Sequence, residues 1–322
     1  MAGKPRIVYP DAGGNLAELI RGERLARLEA LGAFAIHYGR PADPQAFIER
    51  IGEASGVLSG WGLPVEALRA ARNLEIVSFT GTGAANFIDL EEAARRGIAV
   101  TNTPGATGDT VAEHTMALML AAARHVARLD RETRSGVWNQ ELPGVDLKGK
   151  TLGLIGFGGI AQRTAALAKA FGMRVIAWTR NPSPERAAAH GIAFADLDAV
   201  LAESDVLSLH LLLTPETEGL IDADRLQRTK PGVVVVNTAR AQIVDEAALI
   251  ELLRSGHVAA AGIDVYMEEP LPPGHPLTEL DNVVLTPHSA YNTPEAGAAI
   301  LDMAIANLEA FYAGTPTNLV TP

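Results

Sequence analysis

Three residues in the second half of the chain have side chains that could together run a reaction: Arg240, Glu269 and His288. Arg240 offers a planar fork of donors suited to a carboxylate, and its charge persists at any working pH. His288 can give or take a proton near neutrality. A carboxylate bonded to that imidazole favours its protonated form and fixes its orientation, a part open to Glu269. Beside a nicotinamide, the set suits hydride transfer at the carbon next to a carboxylate, with His288 protonating the carbonyl oxygen during reduction and taking the proton back during oxidation. Each residue also has a plainer alternative. Arg240 could form a surface ion pair with Asp245 or Glu246, Glu269 could be a loop acid beside Glu268, and His288 could be structural. His210 ends a predicted strand and is given no catalytic part.

A nicotinamide needs a cradle, and Thr151-Leu-Gly-Leu-Ile-Gly-Phe-Gly-Gly-Ile-Ala offers one, read as Gly156-x-Gly158-x-x-Ala161. Gly156 allows a tight turn, and Gly158 lets a pyrophosphate approach the backbone at a helix N-terminus. Alone the motif is weak, since glycine turns between strands and helices are common. Its context strengthens it, because the next strand ends at Trp178, near the spacing of a ribose-reading residue. Most NAD sites carry Asp or Glu there. This chain has Thr179 followed by Arg180, which favours NADP(H) over NAD(H), the guanidinium taking a 2′-phosphate. The alternative is an Arg180 that stacks on adenine or faces water.

These residues need elements to bring them together. Apolar β-branched runs alternate with helical patterns, predicting α/β architecture with parallel sheets. Five strands are expected in the first half, at 6–9, 34–38, 56–59, 74–80 and 98–102, with helices over Ala17–Leu31 and Asp89–Arg96. Six follow at 151–155, 174–178, 205–209, 233–237, 260–265 and 282–286, the count of a complete dinucleotide-binding sheet. Between the halves a helix is expected from Thr110 to Thr133, with Thr110 and Glu113 as a capping box. Its apolar surface suggests a helix that bridges domains or meets a second subunit. A last helix is expected from Pro294 to about Tyr312. Gly156, Thr179, His210, Thr238, Arg240, Asp264 and His288 all fall at carboxyl ends of strands, where open α/β sheets bind ligands.

Composition bounds the rest. Apolar residues at 48% and charged residues at 20% describe a globular chain, and 322 residues suffice for two domains. The absence of cysteine removes thiolate metal sites and a cysteine nucleophile, and no metal cluster is expected. A net charge of −11 disfavours a nucleic-acid surface. With no signal-peptide core and no apolar run of spanning length, a cytoplasmic protein with no membrane contact is expected.

The motifs together resemble the D-isomer-specific 2-hydroxyacid dehydrogenases over nearly the whole chain. They are Gly81-Thr-Gly-Ala-Ala-Asn-Phe-Ile-Asp89, Asn102-Thr-Pro-Gly105, Val111-Ala-Glu-His114, the glycine turn, Asn237–Glu246, Gly262–Pro270 and Leu285-Thr-Pro-His288. The resemblance implies two doubly wound parallel-sheet domains. One is a flavodoxin-like, discontinuous substrate domain (1–102 plus 290–322), the other a Rossmann cofactor domain (103–289). It implies Arg240, Glu269 and His288 as the catalytic set, with the N–H groups of Thr82 and Gly83 joining Arg240 on the substrate carboxylate. It also implies Gly159, Ile160, Thr238 and Asp264 at the cofactor, with Asp264 near the nicotinamide amide, and a homodimer. Thr179-Arg180 resembles the NADPH-dependent glyoxylate and hydroxypyruvate reductases, so a small 2-keto or 2-hydroxy acid is the expected substrate. The lack of a regulatory domain after Pro322 argues against a feedback-regulated phosphoglycerate enzyme. Ala241 departs from the glycine usual after the arginine, and Ala84-Ala85 from the more usual Val-Asp. A second reading on the same fold is a cofactor-sensing corepressor.

Overall fold

A computed structural model describes residues 4–321 as two compact units, Met1–Thr107 with Asn292–Pro322, and Gly108–Tyr291. The breaks at 107/108 and 291/292 compare with 102/103 and 289/290 from the sequence.

In the first unit, β1 (Arg6–Ala12), β2 (Ala33–Tyr38), β3 (Gly56–Ser59), β4 (Ile76–Phe79) and β5 (Ala99–Thr101) form a sheet ordered β2-β1-β3-β4-β5. Every pairing is parallel. The order reverses between β1 and β3, which makes their carboxyl ends the switch point of a flavodoxin-like sheet. The strand period of two sends Val8, Val57 and Val77 to one face, under Phe47, Ile51 and Leu68. It sends Ile7, Leu58 and Ile76 to the other, where the last helix, Pro294–Tyr312, covers them with Leu301, Ala304, Ile305 and Leu308. Without that helix these side chains would lie bare, each costing about 1.5–3 kcal/mol of burial. This is why the chain's end returns to its beginning. The helix expected over Ala17–Leu31 is instead two, Gly14–Glu18 and Glu23–Leu31. They part at Gly22, whose φ of 56° a helix cannot hold.

In the second unit, β6 (Thr151–Ile155), β7 (Arg174–Trp178), β8 (Ala193–Phe194), β9 (Val206–Leu209), β10 (Val233–Asn237), β11 (Val258–Ile263) and β12 (Val283–Leu285) are all parallel, ordered β12-β11-β10-β9-β6-β7-β8. This is the Rossmann order with its switch between β6 and β9. Runs such as Val233-Val-Val-Val are apolar throughout because helices cover both faces. The six expected strands are present, and β8 is a seventh. Two residues long, it has no periodicity to announce it.

The helix expected from Thr110 to Thr133 is also two, Gly108–Ala123 and Val126–Arg134, parted at His125 with φ 53°. Because the first begins at Gly108, Thr110 lies inside it and caps nothing. Its apolar face is consumed within its own unit, where Met116, Leu118 and Met119 pack with Leu152, Leu154 and Val236. That packing inside the unit accounts for the apolar face of Gly108–Ala123. Val126–Arg134, by contrast, buries none of its residues. No helix among the described residues is long and apolar enough to cross a membrane.

Candidate active site

The carboxyl ends of the second sheet hold most of the predicted residues. Glu269, in the loop after β11, and His288, just past β12, meet directly. Imidazole Nδ1 lies 2.7 Å from Glu269 Oε2, and both side chains are partly exposed. The other carboxylate oxygen accepts the Tyr266 N–H at 3.0 Å, so Glu269 is itself held. Because Nδ1 is committed to Glu269, Nε2 is the nitrogen left to exchange a proton with a ligand. His288 has φ 51°, a conformation costly for a non-glycine residue, of order 1–3 kcal/mol, unless the surroundings enforce it.

They do. Asp264, at the end of β11, is 0% exposed and binds both flanks of the turn that carries His288. Its Oδ1 accepts the Thr286 hydroxyl (2.6 Å) and the Ser289 N–H (2.9 Å), and its Oδ2 accepts the Ala290 N–H (3.0 Å). His114, on the helix Gly108–Ala123, adds its Nε2 at 3.1 Å from the Thr286 hydroxyl and 3.6 Å from Asp264 Oδ1. Tyr266 donates its hydroxyl to the Thr286 carbonyl at 2.8 Å. Burial and the Asp264 and Glu269 charges push that phenol up to about 12, so it remains a donor. Tyr291 sets its ring edge-on to the His288 imidazole, centroids 6.4 Å apart. From the sequence, His114, Tyr266, Thr286 and Tyr291 have no assigned role. His114, Tyr266 and Thr286 lie within motifs already singled out, which was their one signal; Tyr291 had only its place just after His288.

Arg240 follows β10 in a loop fixed by the buried Asn237, whose amide nitrogen donates to the Arg240 carbonyl (2.9 Å) and whose oxygen accepts the Ala239 N–H (3.0 Å). Arg240 Nη1 donates to the Ala239 carbonyl at 2.7 Å. Burial pulls the guanidinium below its ordinary value, and the Glu269 charge opposes that shift. Arg240 and Glu269 thus sense one another electrostatically. A guanidinium in a partly desolvated loop attracts a carboxylate more strongly than one in water.

At the switch point, Gly156 has φ 98°, and a Cβ there would lie 2.5 Å from the His210 carbonyl oxygen, so no other residue fits. A Cβ on Gly158 would meet nothing within 4 Å, which leaves open space before the helix Gly159–Ala170, at whose first turn Ile160 lies. That space and the free N–H groups of the helix start suit a pyrophosphate. Thr179 and Arg180 leave the end of β7, with Arg180 exposed and its charge reaching Glu216. Thr238 bonds the buried Thr115 hydroxyl at 3.0 Å. His210 bonds Ser208 at 2.9 Å, and burial pushes its imidazole down to about 4, so it is neutral at physiological pH. The residues present therefore fit a dinucleotide. Among the described residues, no group of three His, Cys, Asp or Glu side chains could hold a metal.

Thr82 and Gly83 belong to the first unit, in the loop after β4. Their N–H groups carry no hydrogen bond to another described residue. The loop is held at its base, where Gly81 accepts the Thr103 N–H (3.0 Å) and Thr82 accepts the Asn102 side chain (2.7 Å). Trp61 stands on the loop after β3, where the buried Asp11 accepts the N–H groups of Gly60 and Trp61, the latter at 2.7 Å.

Comparison with known proteins places these features in a family. The model of the D-isomer specific 2-hydroxyacid dehydrogenase NAD binding domain matches residues 116–290. A D-3-phosphoglycerate dehydrogenase of Archaeoglobus fulgidus is 46% identical over 76% of the chain, which spans only 46% of that protein's length. A glyoxylate reductase of Aeropyrum pernix is 46% identical over 79% of this chain and 78% of its own. Among solved structures, an NADPH-dependent glyoxylate/hydroxypyruvate reductase of Sinorhizobium meliloti, in complex with NADP and malonate, superposes with a TM-score of 0.85. It is 31% identical, with 99% of this chain and 97% of that one covered.

Proposed function

The chain belongs to the D-isomer-specific 2-hydroxyacid dehydrogenase family, in its glyoxylate reductase branch, and on that premise we propose that it reduces a small 2-keto acid of the glyoxylate or hydroxypyruvate class with NADPH. The observation that carries this reading is the 2.7 Å contact of Glu269 with His288 at the carboxyl edge of a Rossmann sheet.

In this reading Thr82 and Gly83 donate their N–H groups to the substrate carboxylate, and Arg240 binds it and the adjacent oxygen. His288, oriented by Glu269, delivers a proton from Nε2 to the carbonyl oxygen. A bound nicotinamide supplies the hydride. Gly156, Gly158, Gly159 and Ile160 cradle the pyrophosphate. Thr238 and the buried Asp264 lie on the nicotinamide side, Asp264 acting through the turn that it holds. At the far end Thr179 and Arg180 replace the usual ribose-binding carboxylate, which supports the preference for NADPH. The Sinorhizobium meliloti protein, named for NADPH and solved with NADP, agrees with that choice.

Consumption of NADPH and NADH with glyoxylate, hydroxypyruvate, pyruvate and longer 2-keto acids tests the assignment. Turnover is expected to be fastest with the two small acids and NADPH, and no turnover across the panel with cofactor binding intact would sink it. Arg180→Ala is expected to raise the KM for NADPH about tenfold or more, the loss of one charge-assisted phosphate contact, and to leave NADH nearly unchanged. Equal effects on both cofactors would remove Arg180 from phosphate binding. The proposed assembly is a cytoplasmic homodimer. It is supported by the helix Val126–Arg134, which buries nothing in its own unit, and by the exposed Trp138 that follows. Sedimentation of the purified protein reads its mass directly. Nothing in the comparisons supports the corepressor alternative, and a Glu–His proton relay is not something a binding module requires.

A further inference from the structure

We propose that Asn307, on the last helix, is a positioning residue for the substrate carboxylate, acting through Asn102 on the Thr82–Gly83 loop. The proposal rests on the reading of that loop as the carboxylate site.

Asn307 is 1% exposed, and it is the one polar side chain among the eight residues that the helix Pro294–Tyr312 buries. An amide in such a place costs free energy unless its groups are paired. Here they are. The Asn307 amide nitrogen donates to the Asn102 carbonyl at 2.8 Å. Its oxygen accepts the Asn318 amide at 2.9 Å and the Thr317 hydroxyl at 3.2 Å. An apolar residue would cover the sheet without such demands, as Ala304, Ile305 and Leu308 do around it.

The bonds lead to one place. The Asn102 backbone N–H donates to the Asn318 carbonyl at 3.1 Å, and the tail continues as an antiparallel bridge of Leu319 with Thr101. Asn102 is therefore held by its carbonyl and its N–H, one through Asn307 and one through the tail. Its side chain is left to donate to the Thr82 carbonyl at 2.7 Å, and the next residue, Thr103, donates to Gly81 at 3.0 Å. A peptide plane whose carbonyl is fixed has its N–H direction fixed too. Fixing the Thr82 carbonyl thus aims the Gly83 N–H, one of the two donors assigned to the substrate. Asn307 sets the register from which Asn102 does this, without touching substrate itself.

The experiment compares glyoxylate with its neutral methyl ester, in the full-length protein, using Asn307→Ala and the milder Asn318→Gly. The second change removes one partner of Asn307 at a position where φ is 53°, so glycine suits the backbone. Asn307→Ala is expected to raise the KM for glyoxylate about tenfold, and Asn318→Gly about two- to threefold, from losses near that of one or a partial hydrogen bond. kcat, the KM for NADPH and the KM for the ester should stay put. Folded variants with an unchanged glyoxylate KM would overturn the proposal, as would an ester KM that rises in parallel, which marks a merely structural residue. If wild-type protein itself fails to favour the acid over the ester, the carboxylate reading of the loop fails first. Should Asn307→Ala not fold, Asn318→Gly decides alone.

Discussion

Each sheet carries one fully buried aspartate at its carboxyl edge, and the two do similar mechanical work for different ends. Asp11 closes β1 and accepts the Gly60 and Trp61 N–H groups, holding a loop that presents a half-exposed indole. Asp264 follows β11 and accepts two N–H groups and a hydroxyl, holding a turn that presents an imidazole. A buried carboxylate with several donors is a strong clamp on irregular backbone, because releasing it strands both partners. What differs is the side chain that each clamp displays. In the second unit it can move a proton; in the first, an indole, it can offer apolar surface and one N–H donor but cannot exchange a proton near neutrality. The difference teaches that one device, a buried aspartate accepting backbone N–H groups, displays two kinds of side chain on the two sheets.

The largest test of that contrast is His288→Asn. Turnover should fall about 10²- to 10⁴-fold, the range for loss of a general acid, with NADPH affinity retained by fluorescence titration. A near-normal rate would leave the second unit's clamp with nothing to display. Next is Asp264→Asn, which keeps the size but turns an N–H pair against the Ser289 or Ala290 amide. Leaving one such donor unpaired costs about 1–3 kcal/mol, so a lower thermal midpoint and a kcat reduced about ten- to a hundredfold are expected. The matching Asp11→Asn change should alter the KM for substrate and leave kcat within about twofold, since no proton-moving group rides on its loop. If both variants lowered kcat alike, the division of labour between the two sheets would be wrong.

The sequence made the second unit more legible than the first. Strand ends are marked by residue type, so Arg240 and His288 stood out, and Glu269 was separated from Glu268 only by resemblance to the family. The clamps were invisible, because Asp11 and Asp264 act on backbone groups, and backbone groups carry no residue signature. Asp264 was noticed, but as a cofactor neighbour. The broken helices were missed for a related reason. Apolar spacing continues across Gly22 and His125, and the breaks lie in the positive φ of those two residues, which spacing does not report. Asn307 gave no sign at all, being one amide in an apolar helix whose partners lie 205 residues upstream and ten or eleven downstream.

The smallest test concerns charge. Burial is the chief influence on Asp11 and raises its carboxyl above the ordinary value, against the hydrogen bonds from Gly60 and Trp61. The folded state then holds the proton more tightly than the unfolded one. Asp11 contributes stability below its unfolded pKa of about 4, and that contribution is lost as pH rises through the folded value. His210, at the switch point of the other sheet, runs the opposite way. Its folded pKa is pushed down to about 4, so its contribution is present above the unfolded value of about 6.5 and lost as pH falls between the two. The thermal midpoint of wild type minus Asp11→Asn should therefore decline as pH climbs from about 4, while wild type minus His210→Gln should increase over about 4 to 6.5. Parallel slopes would show that one of these two groups is not shifted in the direction its surroundings impose.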